Sequence, residues 1–111
     1  MAWPRPTPPK VVPIRGPSDL KRELKNVCEW LGGEMTSRWT CRVKLKELSG
    51  AERWVDIEVS GNVVSIGDEK YHRVFTIEPK AISMFVDMVR FIGDGKELWV
   101  DKLGAMIGIK I

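Results

Sequence analysis

The sequence predicts an α+β fold: an antiparallel sheet of about four strands, two main helices packed on one face, and a proline-rich N-terminal arm. Three observations lead to this prediction. Apolar residues recur at helical spacing near residue 24 and again near residue 85. Apolar and polar residues alternate between these segments, as they do in strands with one buried face. Six prolines fall within residues 1–17, where neither a helix nor a central strand can continue through them.

Length and composition indicate one domain. The chain has 111 residues, of which 43% are hydrophobic and 30% charged, as is ordinary for a globular protein. We therefore divide it into an arm, residues 1–17, and a single α+β domain, residues 18–111. No apolar run approaches the roughly 18–20 residues of a membrane span, and the prolines leave no room for a signal peptide. The sequence thus predicts a cytoplasmic protein without a membrane partner.

The net positive charge belongs to the arm. The chain has 18 Lys and Arg and 15 Asp and Glu, for a formal charge of +3. Arg5, Lys10 and Arg15 lie in the arm, which has no acid, so the rest of the chain carries 15 charges of each sign. A site for an anion in the domain must therefore be a local patch, while the arm adds long-range attraction.

The first helix is predicted to begin near Ser18, a favourable N-cap, with Asp19 in its first turn. It is predicted to end at Gly32 and Gly33. The apolar positions between these ends trace one helical stripe: Leu20, Leu24, Val27, Cys28 and Leu31.

The first strand is predicted over residues 35–45, which include most of the stretch RWTCRVKLK. Alternation places Trp39 and Cys41 on an apolar face. The opposite face carries four cations and no acid: Arg38, Arg42, Lys44 and Lys46. This cationic row is either a surface that binds an anion or a solvated face that carboxylates of the next strand neutralise.

Three more strands are predicted. One covers residues 53–59, the next begins after the Gly61-Asn62 turn, and the last covers residues 71–77. Pairing about the Gly61-Asn62 turn places Val59 opposite Val64 and Ile57 opposite Ile66. If Leu45 of the first strand faces Val55 of the second, three residues of the cationic row also gain cross-strand neighbours. Lys46 then lies near Trp54, Lys44 opposite Asp56, and Arg42 opposite Glu58.

Two residues on these strands suggest a cleft for bases. Trp54 lies on the polar face, flanked by Arg53, and is either a cation–π partner or a platform for stacking. Arg73 either projects from the core side between Tyr71 and Phe75, or is turned outward by a bulge. Both alternatives remain open at the level of sequence.

The second helix is predicted from Pro79, at its first turn, to Ile92. Its polar stripe is narrow and consists of Lys80, Ser83, Asp87 and Arg90. The remaining apolar surface is larger than a small sheet can cover. The sequence therefore predicts a homodimer whose interface includes Met84, Met88 and Phe91. A short strand over residues 97–100 follows, and residues 103–111 are expected to be packed.

No pattern indicates catalysis. His72 is the only histidine and has no partner at a useful spacing, so no acid–base pair is predicted. Cys28 and Cys41 lack metal-ligand spacing and are either buried thiols or a disulfide. The segment Gly93-Asp94-Gly95-Lys96 closes a predicted helix, so it is a C-cap and turn rather than a phosphate loop. The sequence predicts no enzyme, no metal, no cofactor and no small-molecule substrate.

The order of a helix, four antiparallel strands and a long apolar helix resembles the archaeal ThermoDBP family of single-stranded-DNA-binding proteins. The resemblance covers residues 18–100 and rests on that layout and on the stretches RWTCRVKLK, RWVDIEV and EKYHRVF. It implies a thermophile source, a sheet-and-helix fold unlike the OB barrel, a basic and aromatic cleft, and a dimer.

From the residues themselves we expect sequence-tolerant binding of single-stranded nucleic acid, and the resemblance implies that it is DNA. Phosphates would meet six cations: Arg38, Arg42, Lys44, Lys46, Arg53 and Arg73. Bases would stack on Trp54 and Tyr71. The alternative function is a protein–protein interaction module or assembly subunit that acts through the apolar second helix and the C-terminus.

Overall fold

A computed structural model describes residues 10–111 and has ten strands and one helix. In chain order they are β1 (Lys10–Pro13), α1 (Pro17–Trp30), β2 (Glu34–Ser37), β3 (Thr40–Lys46), β4 (Glu52–Ser60), β5 (Val63–Asp68), β6 (Arg73–Ile77), β7 (Ala81–Phe85), β8 (Met88–Ile92), β9 (Glu97–Asp101) and β10 (Met106–Lys110). The protein is mostly β, so the predicted α+β fold with two helices and one four-stranded sheet is wrong.

The strands form two antiparallel five-stranded sheets. We call β2-β3-β4-β5-β6 the central sheet and β1-β7-β8-β9-β10 the C-terminal sheet. Helix α1 packs on β2, β3 and β4. Side chains from both sheets and the helix join one core, which includes Leu24, Leu45, Ile57, Ile66, Ile82, Phe91 and Leu98. The 14-residue α1 is the only helix in residues 10–111, and it is too short to cross a membrane.

The prediction of the first helix is confirmed. Helix α1 begins at Pro17 with Asp19 in its first turn, but its N-cap is Gly16, so the predicted cap Ser18 lies inside the helix and does not cap it. The Asp19 carboxylate accepts a hydrogen bond from the backbone N–H of Arg15 at 3.0 Å, and this bond lowers the pKa of Asp19. Gly32 ends the helix with a φ of +68°, a conformation that glycine adopts at no steric cost.

The first predicted strand is in fact a hairpin. Strands β2 and β3 pair about a turn at Arg38 and Trp39, with an irregular register between Met35 and Ser37. The Ser37 hydroxyl accepts a hydrogen bond from the Trp39 N–H at 3.3 Å, which favours the turn. Trp39 therefore does not point inward beside Cys41: it is 38% exposed, and the Lys21 ammonium lies 4.2 Å from its ring centre.

The middle of the central sheet confirms one predicted register and corrects another. Val59 pairs with Val64 and Ile57 with Ile66, as predicted. Between β3 and β4 the inner and outer faces are as predicted, but the register differs by two residues, with Val43 opposite Val55. A tight loop sets this register, because the Glu47 N–H donates to the Ala51 carbonyl at 2.9 Å and Gly50 has a φ of +88°.

The second predicted helix is wrong, because this segment forms the hairpin β7–β8. Ile82 pairs with Phe91 and Ser83 with Arg90 across a turn at Val86 and Asp87. Inward and outward side chains alternate along each strand, and the turn places Ser83 opposite Arg90 on the outer face. Because seven residues are about two turns of a helix, this pair of polar residues resembles the polar stripe of a helix in the sequence. Segment 93–96 therefore joins β8 to β9 as a turn between strands, not as a helix C-cap.

The predicted oligomer interface changes with this correction. Met84 and Phe91 point into the core and are fully buried, so neither can contact a second subunit. Met88 lies on the opposite, outer face of the C-terminal sheet, where it pairs with Phe85 and Asp101.

Part of the predicted arm belongs to the folded body. Residues Lys10–Pro13 form β1, an edge strand of the C-terminal sheet that pairs with β7. Pro13 fits there because an edge strand has no ladder hydrogen bond to lose on its open side. Arg15 contacts Asp19 through an exposed ion pair. Residues 1–9, which include Trp3 and Arg5, lie outside the described residues.

A disulfide decides between the two alternatives for the cysteines. Cys28 of α1 and Cys41 of β3 are bonded, with their Cα atoms 5.8 Å apart. Both are buried in the contact between the helix and the central sheet. The bond therefore joins the helix covalently to the strand that carries Arg42 and Lys44.

Replacing both Cys28 and Cys41 with Ala should lower the free energy of unfolding. The cysteines are 13 residues apart, and closing a loop of about that size restricts the unfolded chain by roughly 3 kcal/mol. Urea denaturation followed by circular dichroism measures the change. Wild-type protein in excess reductant serves as the control, and its unfolding midpoint in urea should approach that of the variant. An unchanged unfolding midpoint in both samples would contradict the prediction.

Candidate nucleic-acid interface

Trp54 lies on the outer face of β4 with two cations beside its ring. Its side chain is 37% exposed. The Arg42 guanidinium carbon lies 4.7 Å from the ring centre, and the Lys44 ammonium lies 5.6 Å from it. Lys44 is the direct cross-strand partner of Trp54, and Arg42 is two residues away on the same face. The register thus brings an indole and two predicted phosphate ligands together.

Each of these cations also contacts a carboxylate. Arg42 pairs with Glu69 at 2.9 Å and Lys44 with Glu52 at 3.5 Å, and all four side chains are exposed. Carboxylates therefore neutralise part of the cationic row, but the partners are not the predicted Asp56 and Glu58. Exposed ion pairs contribute about 0–1 kcal/mol, so a phosphate can replace the carboxylate at small cost.

Arg53 is held inside the protein and cannot reach a phosphate as predicted. Its side chain is only 9% exposed, lying 3.3 Å from Glu47 and 3.6 Å from Asp68. The guanidinium carbon also lies 5.4 Å from the ring centre of Tyr71. Arg53 is therefore a largely buried cation–π partner of Tyr71, while Tyr71 itself is more than half exposed.

A groove of about 280 Å³ runs along the other side of this corner. Its lining includes Tyr71, Arg73 and Phe75 from the central-sheet side and Met106 and Ile107 of β10. The pairings Asp68–Arg73 and Ile66–Phe75 place Arg73 on the inner-facing side of β6, which decides between the two registers left open by the sequence. Arg73 is exposed at the rim, and no carboxylate of residues 10–111 lies within 4.0 Å of it.

The remaining predicted ligands lie at the edges of this region. Lys46 is exposed at the end of β3, opposite Glu52. Arg38 is exposed in the β2–β3 turn, six residues along the chain from Lys44, or roughly 20 Å at the rise of a strand. Arg38 therefore lies apart from Trp54 and the two cations beside it.

Beside Tyr71 lies an ion pair between Lys70 and Glu47 that the sequence does not indicate. The Lys70 ammonium donates hydrogen bonds to both oxygens of Glu47, at 2.8 and 3.0 Å. Glu47 lies in the β3–β4 loop and Lys70 in the β5–β6 loop, which meet because β4 and β5 form a continuous antiparallel meander. No local motif joins the two residues, so the pair could be predicted only from the correct order and register of strands β3 to β6.

Acids outnumber cations on this outer face as a whole. The outward side of β2, β3, β4 and the adjoining turn carries Glu34, Glu52, Asp56, Glu58 and Glu69 against Arg42, Lys44 and Lys46. An anion is therefore repelled from most of the sheet, and the corner around Trp54, Tyr71 and Arg73 is where two exposed rings lie together with accessible cations.

Within residues 10–111, no three side chains of His, Cys, Asp or Glu are arranged to hold a metal ion. The chain matches no protein-family model, no curated protein and no solved structure. The resemblance to the ThermoDBP family therefore stays a prediction, and the second helix on which it partly rested is the β7–β8 hairpin.

The Glu47–Lys70 pair should make stability depend on pH at both extremes. Hydrogen bonding to Lys70 lowers the pKa of Glu47 below its ordinary 4.5, and hydrogen bonding to Glu47 raises the pKa of Lys70 above 10.5. The stabilisation is therefore complete between these ordinary values. It is lost as the pH falls through the lowered pKa of Glu47 or rises through the raised pKa of Lys70.

The variant Lys70→Met should accordingly be less stable than wild type near neutral pH, and the difference should vanish in strong acid. Urea midpoints measured across the acid range for both proteins test this. The variant Lys80→Met is a matched control, because the Lys80 ammonium lies 4.0 Å from Glu78, at the limit of an ion pair. A Lys70→Met difference that persists unchanged in strong acid would contradict the assignment.

Proposed function

We propose that this protein binds single-stranded nucleic acid, without sequence preference and without catalysis, at one corner of the central sheet. We call this region the Trp54 corner and define it by Arg42, Lys44, Trp54, Tyr71 and Arg73. The observation that carries the proposal is the exposed indole of Trp54 with two cations within 6 Å of its ring centre. Rings for stacking beside cations for phosphates are the elements of a single-strand site.

The two aromatic side chains support a continuous path. Trp54 faces outward from β4, and its carbonyl accepts a hydrogen bond from the Glu69 N–H at 3.2 Å, where the β5–β6 turn begins. Tyr71 lies in that same turn, and Arg73 follows it. A strand that stacks one base on Trp54 can thus cross the turn, stack another on Tyr71, and place a phosphate near Arg73.

The energetics favour modest affinity. Stacking of a base on an aromatic side chain contributes about 1–3 kcal/mol. A base on Trp54 displaces the Arg42 guanidinium from the ring, which forfeits about 0.5–1 kcal/mol, and moving Arg42 from Glu69 to a phosphate costs up to about 1 kcal/mol more. Because these terms offset part of the gain from one stacked base, phosphate contacts from Lys44 and Arg73 must supply much of the binding free energy.

The variant Trp54→Ala should weaken binding of fluorescein-labelled oligo-dT about tenfold, because it removes one stacking platform. Fluorescence anisotropy measures the dissociation constant, and oligo-U in parallel reports whether DNA or RNA is preferred. The matched control is Trp39→Ala: Trp39 is 38% exposed and also lies beside a lysine, but it is in the β2–β3 turn away from the corner. The control should bind like wild type. Equal losses in both variants would contradict the proposal, as would a wild-type protein that binds neither oligonucleotide.

The salt dependence gives a further check on the same site. Three accessible cations, Arg42, Lys44 and Arg73, predict a slope of log K against log salt of about −2 for a single strand. The variant Arg73→Gln should make that slope shallower by about 0.7. A slope that stays the same in Arg73→Gln would show that this arginine does not contact a phosphate.

A further inference from the structure

The outer face of the C-terminal sheet is unusually apolar for a surface. We call it the open face and define it as the side chains of β1 and β7–β10 that point away from the core. Most of the strand residues on this side are apolar or small: Val11, Pro13, Ala81, Phe85, Met88, Ile92, Trp99, Met106 and Gly108. Helix α1 packs on the other sheet, and no helix or strand of residues 10–111 covers this face.

Trp99 is the largest side chain of the open face. Its cross-strand partner on β10 is Gly108, and a Cβ atom at position 108 would overlap the indole ring. Gly108 thus lets the indole lie along the neighbouring strand instead of standing up from the sheet. In the next row, Phe85, Met88 and Met106 are also apolar, and Asp101 lies between Met88 and Met106.

The turns next to this row continue the apolar surface. Val86 is 61% exposed and has a φ of +54°, although a β-branched residue is strongly disfavoured in this left-handed region. Leu103 is exposed in the neighbouring turn, and the two turns are linked by a hydrogen bond from the Lys102 N–H to the Asp87 carbonyl at 2.9 Å. Glycine or asparagine would suit the Val86 position better if folding alone determined it. An exposed valine held in this conformation is consistent with a contact to a partner.

The charges of the open face are balanced. Arg90 and Glu97 form a pair at 3.4 Å near its middle, and Lys110 and Asp101 complete two charges of each sign. A neutral face attracts neither a polyanion nor a strongly basic protein. It does suit a copy of itself, because a two-fold axis near this pair sets Arg90 of each subunit against Glu97 of the other.

We propose that the open face packs against the open face of a second copy of this chain, forming a two-fold symmetric dimer. Sheets that pack face to face keep their strands roughly aligned, and a two-fold axis sets the same apolar side chains of both copies against each other. Trp54, Arg42 and Lys44 lie on the other sheet, and Met106 belongs both to the open face and to the lining of the groove beside Arg73. The dimer is inferred without any nucleic-acid contact, and its test does not use an oligonucleotide.

Sedimentation velocity of the full chain over a range of concentrations tests the dimer. Wild type should sediment as a dimer at micromolar concentrations and Phe85→Glu as a monomer, with the same circular dichroism spectrum. The matched control is Val74→Glu, which introduces the same charge at an apolar position on the outer face of the central sheet, 69% exposed against 42% for Phe85, and should remain a dimer. A monomeric wild type overturns the proposal, and so does a dimer that survives Phe85→Glu.

Two charge variants test the symmetric arrangement itself. In Arg90→Glu homodimers and in Glu97→Arg homodimers, both cross-subunit pairs bring like charges together, so each variant alone should be monomeric. An equimolar mixture restores two opposite-charge pairs and should sediment as a dimer. A mixture that stays monomeric overturns the proposed Arg90–Glu97 contact. Neither result depends on oligo-dT binding, which Trp54→Ala tests separately.

Discussion

Burial of alternate side chains on β4 is the constraint on which the rest of this structure depends. Val55, Ile57 and Val59 are all in the core, and β4 is paired on both of its edges. Shifting the strand by one residue would expose all three, so the orientation of its neighbours is fixed. Two consecutive residues therefore have opposite environments: Trp54 must face solvent, and Arg53 must face inward, where Glu47 and Asp68 compensate its charge.

The same constraint explains which parts of the fold could be predicted from the sequence. Helix α1 and the Val59–Val64 pairing are local patterns with a clear cap or turn, and both are confirmed. The sequence predicts a helix over the β7–β8 hairpin because its turn contains Val86 and Asp87 instead of glycine or asparagine. Without a turn signal, Ser83 and Arg90 at a spacing of seven fit either period. The Arg38–Trp39 turn was missed for the same reason.

In the candidate site, too, the features that depend on local alternation are predicted correctly and those that depend on loop length or distant strands are not. Placing Trp54, Arg42 and Lys44 on one outer face needs only the alternation of β3 and β4, and the structure has them there. The carboxylate partners needed the exact length of the β3–β4 loop, which the sequence leaves open, so they were predicted two residues out of register. Glu47 and Lys70 are 23 residues apart and meet only through the sheet, so no local pattern could join them.

Gly108 and Trp99 also constrain how this chain can vary. Because the indole occupies the space of a Cβ at position 108, any side chain larger than hydrogen there would force the ring off β10. Substitutions at the two positions should therefore be coupled through evolution. Homologues that keep the tryptophan should keep the glycine, and a small residue in place of Trp99 should release position 108 to accept an ordinary strand residue such as valine or threonine.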